Sequence, residues 1–391
     1  MVVRGTRKTY ALLSLMMLVG LAYLELYPFT FRVPIDDGGP FQKLLESWAE
    51  RPSRGDFLAN IVAYIPLGFC ATMALPYPRS RFGRIIVVVL AGSALSVSFE
   101  MAQYYIEGRV TAATDVYANT AGVTIGSIAS VLWKESSSAV IHLSFSQPIP
   151  LFLLLDWFAY RLYPYVPTTD LHKFWTAVKP LLIAPTPNWS DLLRHSAIWL
   201  TLFALVSSFV SSRSFLPSLA LVAFLLAARV SIVDKVLSSA EVAGAFIALC
   251  LWLILSLLRV RLRALLIAIT LGTYILVERL QPFAFQDTDR QFGWVPFRSF
   301  MTGSPEINVM AMFEKSFLYG ALLYLLNEAG LSLRTSAFFL GCGLFVTSWM
   351  EICLPERSAE ITDAVLALMI AIAFSLVQLA SEERSRRTAK R

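Results

Sequence analysis

A bundle of helices packed within a lipid bilayer is the fold class that this sequence predicts, and three observations predict it. Of its 391 residues, 57% are hydrophobic and only 15% charged, against about 45–50% and about 25% in soluble domains. Apolar runs of the ~20 residues that a bilayer crossing needs recur along the chain. Between them lie short basic clusters, such as RSRFGR at 79–84 and RVRLR at 259–263. The expected fold is an all-α polytopic membrane protein whose first partner is the lipid bilayer.

The runs place twelve spans near 8–29, 57–76, 85–106, 115–133, 139–161, 191–211, 215–233, 240–258, 262–284, 307–327, 333–354 and 360–380. The first has a basic start, with Arg4, Arg7 and Lys8, and an apolar centre, as a signal peptide has. It carries no small-residue cleavage site and resembles the fifth and ninth spans, so it reads as a retained helix. With that end in the cytoplasm, Arg79, Arg81, Arg84, Lys134, Arg213, Arg259, Arg261, Arg263, Arg334 and the basic tail 382–391 all fall on the same side. The positive-inside rule then puts both termini in the cytoplasm. The formal charge of +6 is explained by these clusters, which excludes a nucleic-acid partner.

Cys70, Cys250, Cys342 and Cys353 lie in or at the end of apolar runs and read as small core hydrophobes. His142, His172 and His195 lack metal-ligand spacing, and no glycine-rich phosphate loop is present, so neither a metal nor a cofactor is expected. Trp and Tyr residues read as an interfacial belt.

A repeat organises the spans. ELYPFTF at 25–31, RLYPYVP at 161–167 and RLQPFAF at 279–285 each close an odd-numbered span. Each also has a charged residue three positions before Pro28, Pro164 or Pro282. The next span then opens with Asp56, Asp191 or Asn308. The period is four helices, predicting units at 1–136, 137–260 and 261–381, followed by the tail. Because four is even, all three units have the same orientation and are related by an axis along the membrane normal.

Polar residues recur with the same period. Glu100, Arg109 and Asp115 in the first unit correspond to Glu351, Arg357 and Asp363 in the third, with a six-residue gap from Arg to Asp in both. The middle unit places Arg229, Lys235 and Glu241 there, so its first acid has become a base. Glu100, Gln103 and Tyr104 share one helix face; Asp115, Asn119, Gly122 and Gly126 share another, with the glycines allowing close helix approach. Asp56, Asn60 and Tyr64 form a third stripe ahead of Pro66. All three point to the outer half of the membrane in this topology, where the Glu, Arg and Asp are expected either to satisfy one another or to hold a polar ligand. The bland alternative makes Asp115 a helix cap and the arginines interfacial anchors. Glu314 and Lys315 are adjacent and point different ways, so each needs its own partner, Glu351 being the expectation for Lys315. Asp156, within the fifth span, is a further candidate.

The run DFLANIVAYIPLGF, then Glu100 and Gln103, Arg109, and TDVYANTAGVTIG resembles the VanZ-like membrane family. The third unit resembles it less strictly: Asn308, Met312 and Leu318-Tyr319-Gly320 replace the Asp, Asn and Pro-Leu-Gly of the first. The resemblance implies a multi-pass protein of the bacterial cytoplasmic membrane, related to accessory proteins of glycopeptide resistance. It carries Asp56, Asn60, Glu100, Gln103, Arg109, Asp115 and Asn119 over as a functional cluster, and Glu351, Arg357 and Asp363 as a second, to which the position of Lys315 within its span adds that residue. Three functions compete: a non-enzymatic module holding a lipid-linked envelope precursor or lipoglycopeptide at the outer leaflet, an intramembrane lipid hydrolase or transferase using Glu100 and Asp115 as acid and base, and a transporter. The charges cluster near one surface, whereas transporter sites lie near the midplane at broken helices. That favours the module.

Overall fold

A computed structural model of the chain describes residues 3–32, 38–49, 54–75, 80–136, 147–168, 170–183, 186–210, 215–233, 235–286, 290–302, 304–355 and 357–388. It is all-helical apart from isolated bridges, and it divides into two compact units, Met1–Ser144 with Leu379–Arg391, and Phe145–Gln378. The stretches expected as the second and third four-helix units lie together in the latter.

The first unit consists of α1 (Val3–Leu26), the short α2 (Gly39–Glu46), α3 (Arg54–Ala74), α4 (Arg81–Gln103) and α5 (Ala113–Ser136). Helix α1 stops ahead of Tyr27-Pro28, since a residue before proline is driven out of helical geometry. Ser80 caps α4 by accepting the Gly83 amide at 2.9 Å. Three glycines set the approach of α3 to α5. A Cβ on Gly122 would lie 2.3 Å from the Ile61 carbonyl oxygen, one on Gly126 2.0 Å from that of Ile65, and one on Gly68 2.2 Å from that of Val123. No larger residue fits this backbone-to-backbone contact, which is how small residues bring membrane helices together. Leu21, Tyr64, Leu67, Val88 and Val123 form the core of the unit.

The second unit carries α6 (Pro148–Leu162), α7 (Leu171–Val178), α8 (Pro180–Ile183), α9 (Trp189–Val206), α10 (Leu216–Ser231), α11 (Ser239–Leu255) and α12 (Val260–Leu280). After these come α13 (Arg298–Met301), α14 (Pro305–Glu328), α15 (Leu333–Met350) and α16 (Thr362–Thr388), of which the part up to Gln378 belongs to this unit. Proline opens α6, α10 and α14, where its missing amide costs nothing. Helix α6 therefore starts at Pro148 rather than at 139, and residues 137–146 lie outside the described set. Its core joins α6, α9, α12, α14 and α16 through Leu153, Phe203, Leu271, Phe317 and Phe374.

A helix lies at the position of each expected span. Among the described residues, six are long and apolar enough to cross a membrane: Phe57–Ala74, Phe82–Gln103, Val260–Leu280, Glu306–Glu328, Leu333–Cys353 and Thr362–Leu379. Tyr10–Leu26, Leu216–Ser231 and Ser239–Leu255 are shorter apolar helices. The outer faces of the long helices are themselves apolar, with Val62 63%, Leu90 65% and Phe338 65% exposed. Cys250 and Cys342 are exposed on such faces and only Cys70 is buried, which corrects the expectation of core positions. Lipid tails are as apolar as a protein core, so hydropathy does not separate the two environments.

Candidate functional site

The turns that end α1, α6 and α12 share one geometry. Tyr27-Pro28, Tyr163-Pro164 and Gln281-Pro282 are cis peptide bonds, and Phe29, Tyr165 and Phe283 follow with φ of 64°, 61° and 61°. Beyond each turn, an amide four residues after the proline reaches back to the end of another segment: Arg32 to the Tyr105 carbonyl at 2.7 Å, Thr168 to Ser231 at 2.8 Å, Gln286 to Cys353 at 2.8 Å. The charged residue three positions before each proline is therefore held beside a helix end, and it organises the polar groups there.

In the first unit that residue is Glu25. Tyr64 on α3 donates its hydroxyl to Oε1 of Glu25 at 2.9 Å, and Gln103 at the end of α4 donates Nε2 to Oε2 at 2.7 Å. Gln103 is 3% exposed and Tyr64 1%. Glu100, 1% exposed, holds the loop between α4 and α5: its Oε2 accepts the Ala112 amide at 2.8 Å and its carbonyl accepts the Thr111 hydroxyl at 3.2 Å. Ser47 adds a cap from elsewhere in the chain, its Oγ accepting the Ala113 amide at 2.9 Å. Arg109 donates Nε to the Tyr27 carbonyl at 3.0 Å and Nη2 to that of Leu24 at 2.8 Å, satisfying acceptors that the end of α1 leaves open. Asn119 donates to Ser96 Oγ at 3.0 Å, and its own carbonyl oxygen is buried without a partner among the described residues.

In the second unit the corresponding residues are arginines. Arg161 forms an ion pair with Glu241, which also meets Arg229 Nε at 3.2 Å. Arg279 is the centre of a denser network: it is paired with Asp363 and with Glu351 at 3.1 Å, and it donates to the Thr347 and Ser348 hydroxyls, both at 2.7 Å. Lys315 holds the other oxygen of Asp363 at 2.7 Å, and Glu314 pairs with Arg194. Arg357 repeats the action of Arg109, donating to the carbonyls of Gln281 at 3.1 Å and Glu278 at 2.6 Å. Arg279, Glu351, Asp363, Lys315, Glu314, Arg194 and Arg357 line a cleft of about 200 Å3.

Several expectations about these residues are corrected. The arginine of each Glu–Arg–Asp set caps carbonyl groups instead of lying between the acids. Lys315 meets Asp363, not Glu351, although Glu314 and Lys315 do take separate partners. The Asp56 side chain lies outside the described residues, and Asn60 is half-buried one turn before Tyr64. Asp115 stands in the first turn of α5. Asp156 is buried, with one carboxylate oxygen lacking any partner among the described residues. Glu25, Arg161 and Arg279 had not been singled out as site residues, yet the repeated charge three positions before proline was their signal.

No group of histidines, cysteines and acids suited to a metal ion occurs among the described residues. No curated protein and no solved structure matches the chain. Residues 6–134 match the model of the VanZ/LLP1 family. That range covers most of α1, all of α2 to α4 and most of α5, with Glu25, Tyr64, Glu100, Gln103 and Arg109. The chain is thus a membrane protein whose first part, residues 6–134, is VanZ-like.

Proposed function

We propose that this chain works at the outer leaflet of a bacterial cytoplasmic membrane, where its first four-helix unit holds the polar part of a lipid-linked envelope precursor or lipoglycopeptide. The observation that carries the reading is the cluster of Glu25, Tyr64, Gln103 and Glu100, gathered at the ends of apolar helices within the VanZ-like segment. Buried ionisable groups are costly in a membrane and mark functional sites more often than structural ones. The acid–base reading has less support, because Glu100 is buried and engaged by a backbone amide, and Arg109 is committed to two carbonyl groups. We also infer that the chain comprises three related four-helix units with cytoplasmic termini. The common turn geometry and the matching roles of Arg109 and Arg357 support that relation.

The test expresses the wild type, Glu25→Gln and Glu100→Gln in a host susceptible to teicoplanin and dalbavancin, with membrane levels measured. Protection by the wild type and its loss in both variants is the expected result. No protection from well-inserted wild-type protein overturns the reading.

A further inference from the structure

The second unit has another cleft, which shares no residue with the one around Arg279. Arg263, near the start of α12, lines it together with Ser207, Ser208, Tyr324 and Glu328, where α9 and α14 end and α6 and α12 begin. Its volume is about 260 Å3. Arg263 is 7% exposed, as is Arg279. Arg279 meets two carboxylates, whereas among the described residues the Arg263 side chain has neither an ion pair nor a hydrogen bond. What holds it is Trp252, whose ring centroid lies 5.2 Å from the guanidinium carbon.

An arginine is almost never buried without a partner, because its charge loses water and gains nothing in return. Stacking on an indole uses the face of the guanidinium and leaves its five in-plane N–H donors free. An arginine that merely anchors a helix end keeps its head in water; this one does not. Ser208 and Tyr324 share one hydrogen bond of 2.9 Å, so one of their two hydroxyl protons has no acceptor among the described residues. Helices α6 and α12 begin here without side-chain caps, leaving backbone amides open as further donors. The ends of α9 and α14 oppose the dipoles of those two starts, so charged side chains set the sign of the cleft. Glu328 is the only acid in the lining; it is exposed and forms no ion pair with Arg263. Against it stand Arg263 itself and the exposed Arg259 and Arg261, the latter passing beside Gly330 just beyond α14.

A buried guanidinium fork with spare hydroxyl and amide donors matches a phosphate, whose oxygens accept in pairs. Leu257, Val260 and Leu262 are exposed around the start of α12, so acyl chains can pack at the mouth. We propose that this cleft binds the phosphate group of an anionic phospholipid, through Arg263 seated on Trp252 and the hydroxyls of Ser208 and Tyr324. In the topology inferred above it lies at the cytoplasmic end, where basic pockets between helices hold anionic head groups. The assignment does not depend on the role given to the first unit.

Calorimetric titration of purified full-length protein in a non-ionic detergent tests this, with dihexanoyl phosphatidic acid and dihexanoylglycerol as probes. The two share tails and differ in the phosphate. The wild type is expected to bind the phosphate-bearing lipid about tenfold or more tightly, as for one charge-assisted contact. Arg263→Met, which keeps the stem, is expected to abolish that preference. Glu328→Gln, at an exposed position, is expected to tighten binding by removing the opposing charge. Inorganic phosphate is the third probe: weak competition supports a lipid as the source, and competition at equal potency overturns the lipid in favour of a soluble phosphate. Equal binding of both lipids by the wild type overturns the site altogether. An unchanged preference in Arg263→Met protein that unfolds at the wild-type temperature does the same. Weaker binding after Glu328→Gln also counts against it, because the acid would then be attracting the ligand.

Discussion

Replacement of Arg279 by methionine is expected to be among the most damaging single changes in the second unit. The guanidinium is 7% exposed, pairs with Glu351 and Asp363, and satisfies the Thr347 and Ser348 hydroxyls. Methionine matches its stem but supplies no donor. Asp363 keeps Lys315 at 2.7 Å, so most of the loss falls on Glu351, which is left as a buried acid without its arginine. Breaking one side of a buried pair costs about 3–5 kcal/mol, and the remaining Lys315 contact places the expected value near the lower end. Equilibrium unfolding by increasing mole fraction of sodium dodecyl sulfate, followed by circular dichroism, measures the change. The double variant Arg279→Met with Glu351→Met should recover about 1–3 kcal/mol, since removal of both partners leaves no uncompensated charge. A loss below about 1 kcal/mol for the single variant, the value of an exposed pair, would refute the argument that this network is buried and coupled.

Other expectations follow from the geometry of individual contacts. Gly126→Ala puts a Cβ within 2.0 Å of the Ile65 carbonyl oxygen and should cost about 1–3 kcal/mol in the same assay, whereas Gly341→Ala, with nothing within 4 Å of the new atom, should be nearly neutral. Arg109→Ala removes two charge-assisted bonds to the carbonyls of Leu24 and Tyr27, so amides of the 104–112 loop should lose hydrogen-exchange protection. Unchanged exchange there would show that the loop does not depend on this anchor. Ser47→Ala withdraws the acceptor of the Ala113 amide and should destabilise by about 1 kcal/mol, the typical value of a helix cap. Restoration by Ser47→Thr would tie the effect to the hydroxyl.

The helices of this protein, the small-residue face of α5, and the separate partners of Glu314 and Lys315 were all legible in the order of residues. Each follows from local periodicity: a run of ~20 apolar residues can satisfy its backbone in lipid only as a helix, and neighbouring positions on a helix necessarily face different ways. What the tertiary structure decided is which groups meet. Spacing put Glu100, Arg109 and Asp115 on facing segments, but it did not show that the turn at Tyr27-Pro28 leaves the Leu24 and Tyr27 carbonyls within reach of Arg109. Nor did it show that Glu25 would lie between Tyr64 and Gln103, from α3 and α4, or that Arg279 would take both acids of its unit. Hydrophobic pattern selects the face that a residue occupies; the partner on the opposite face depends on the depth and rotation of packed helices. Those are set by long-range contacts such as Gly126 against Ile65, and no local pattern encodes them.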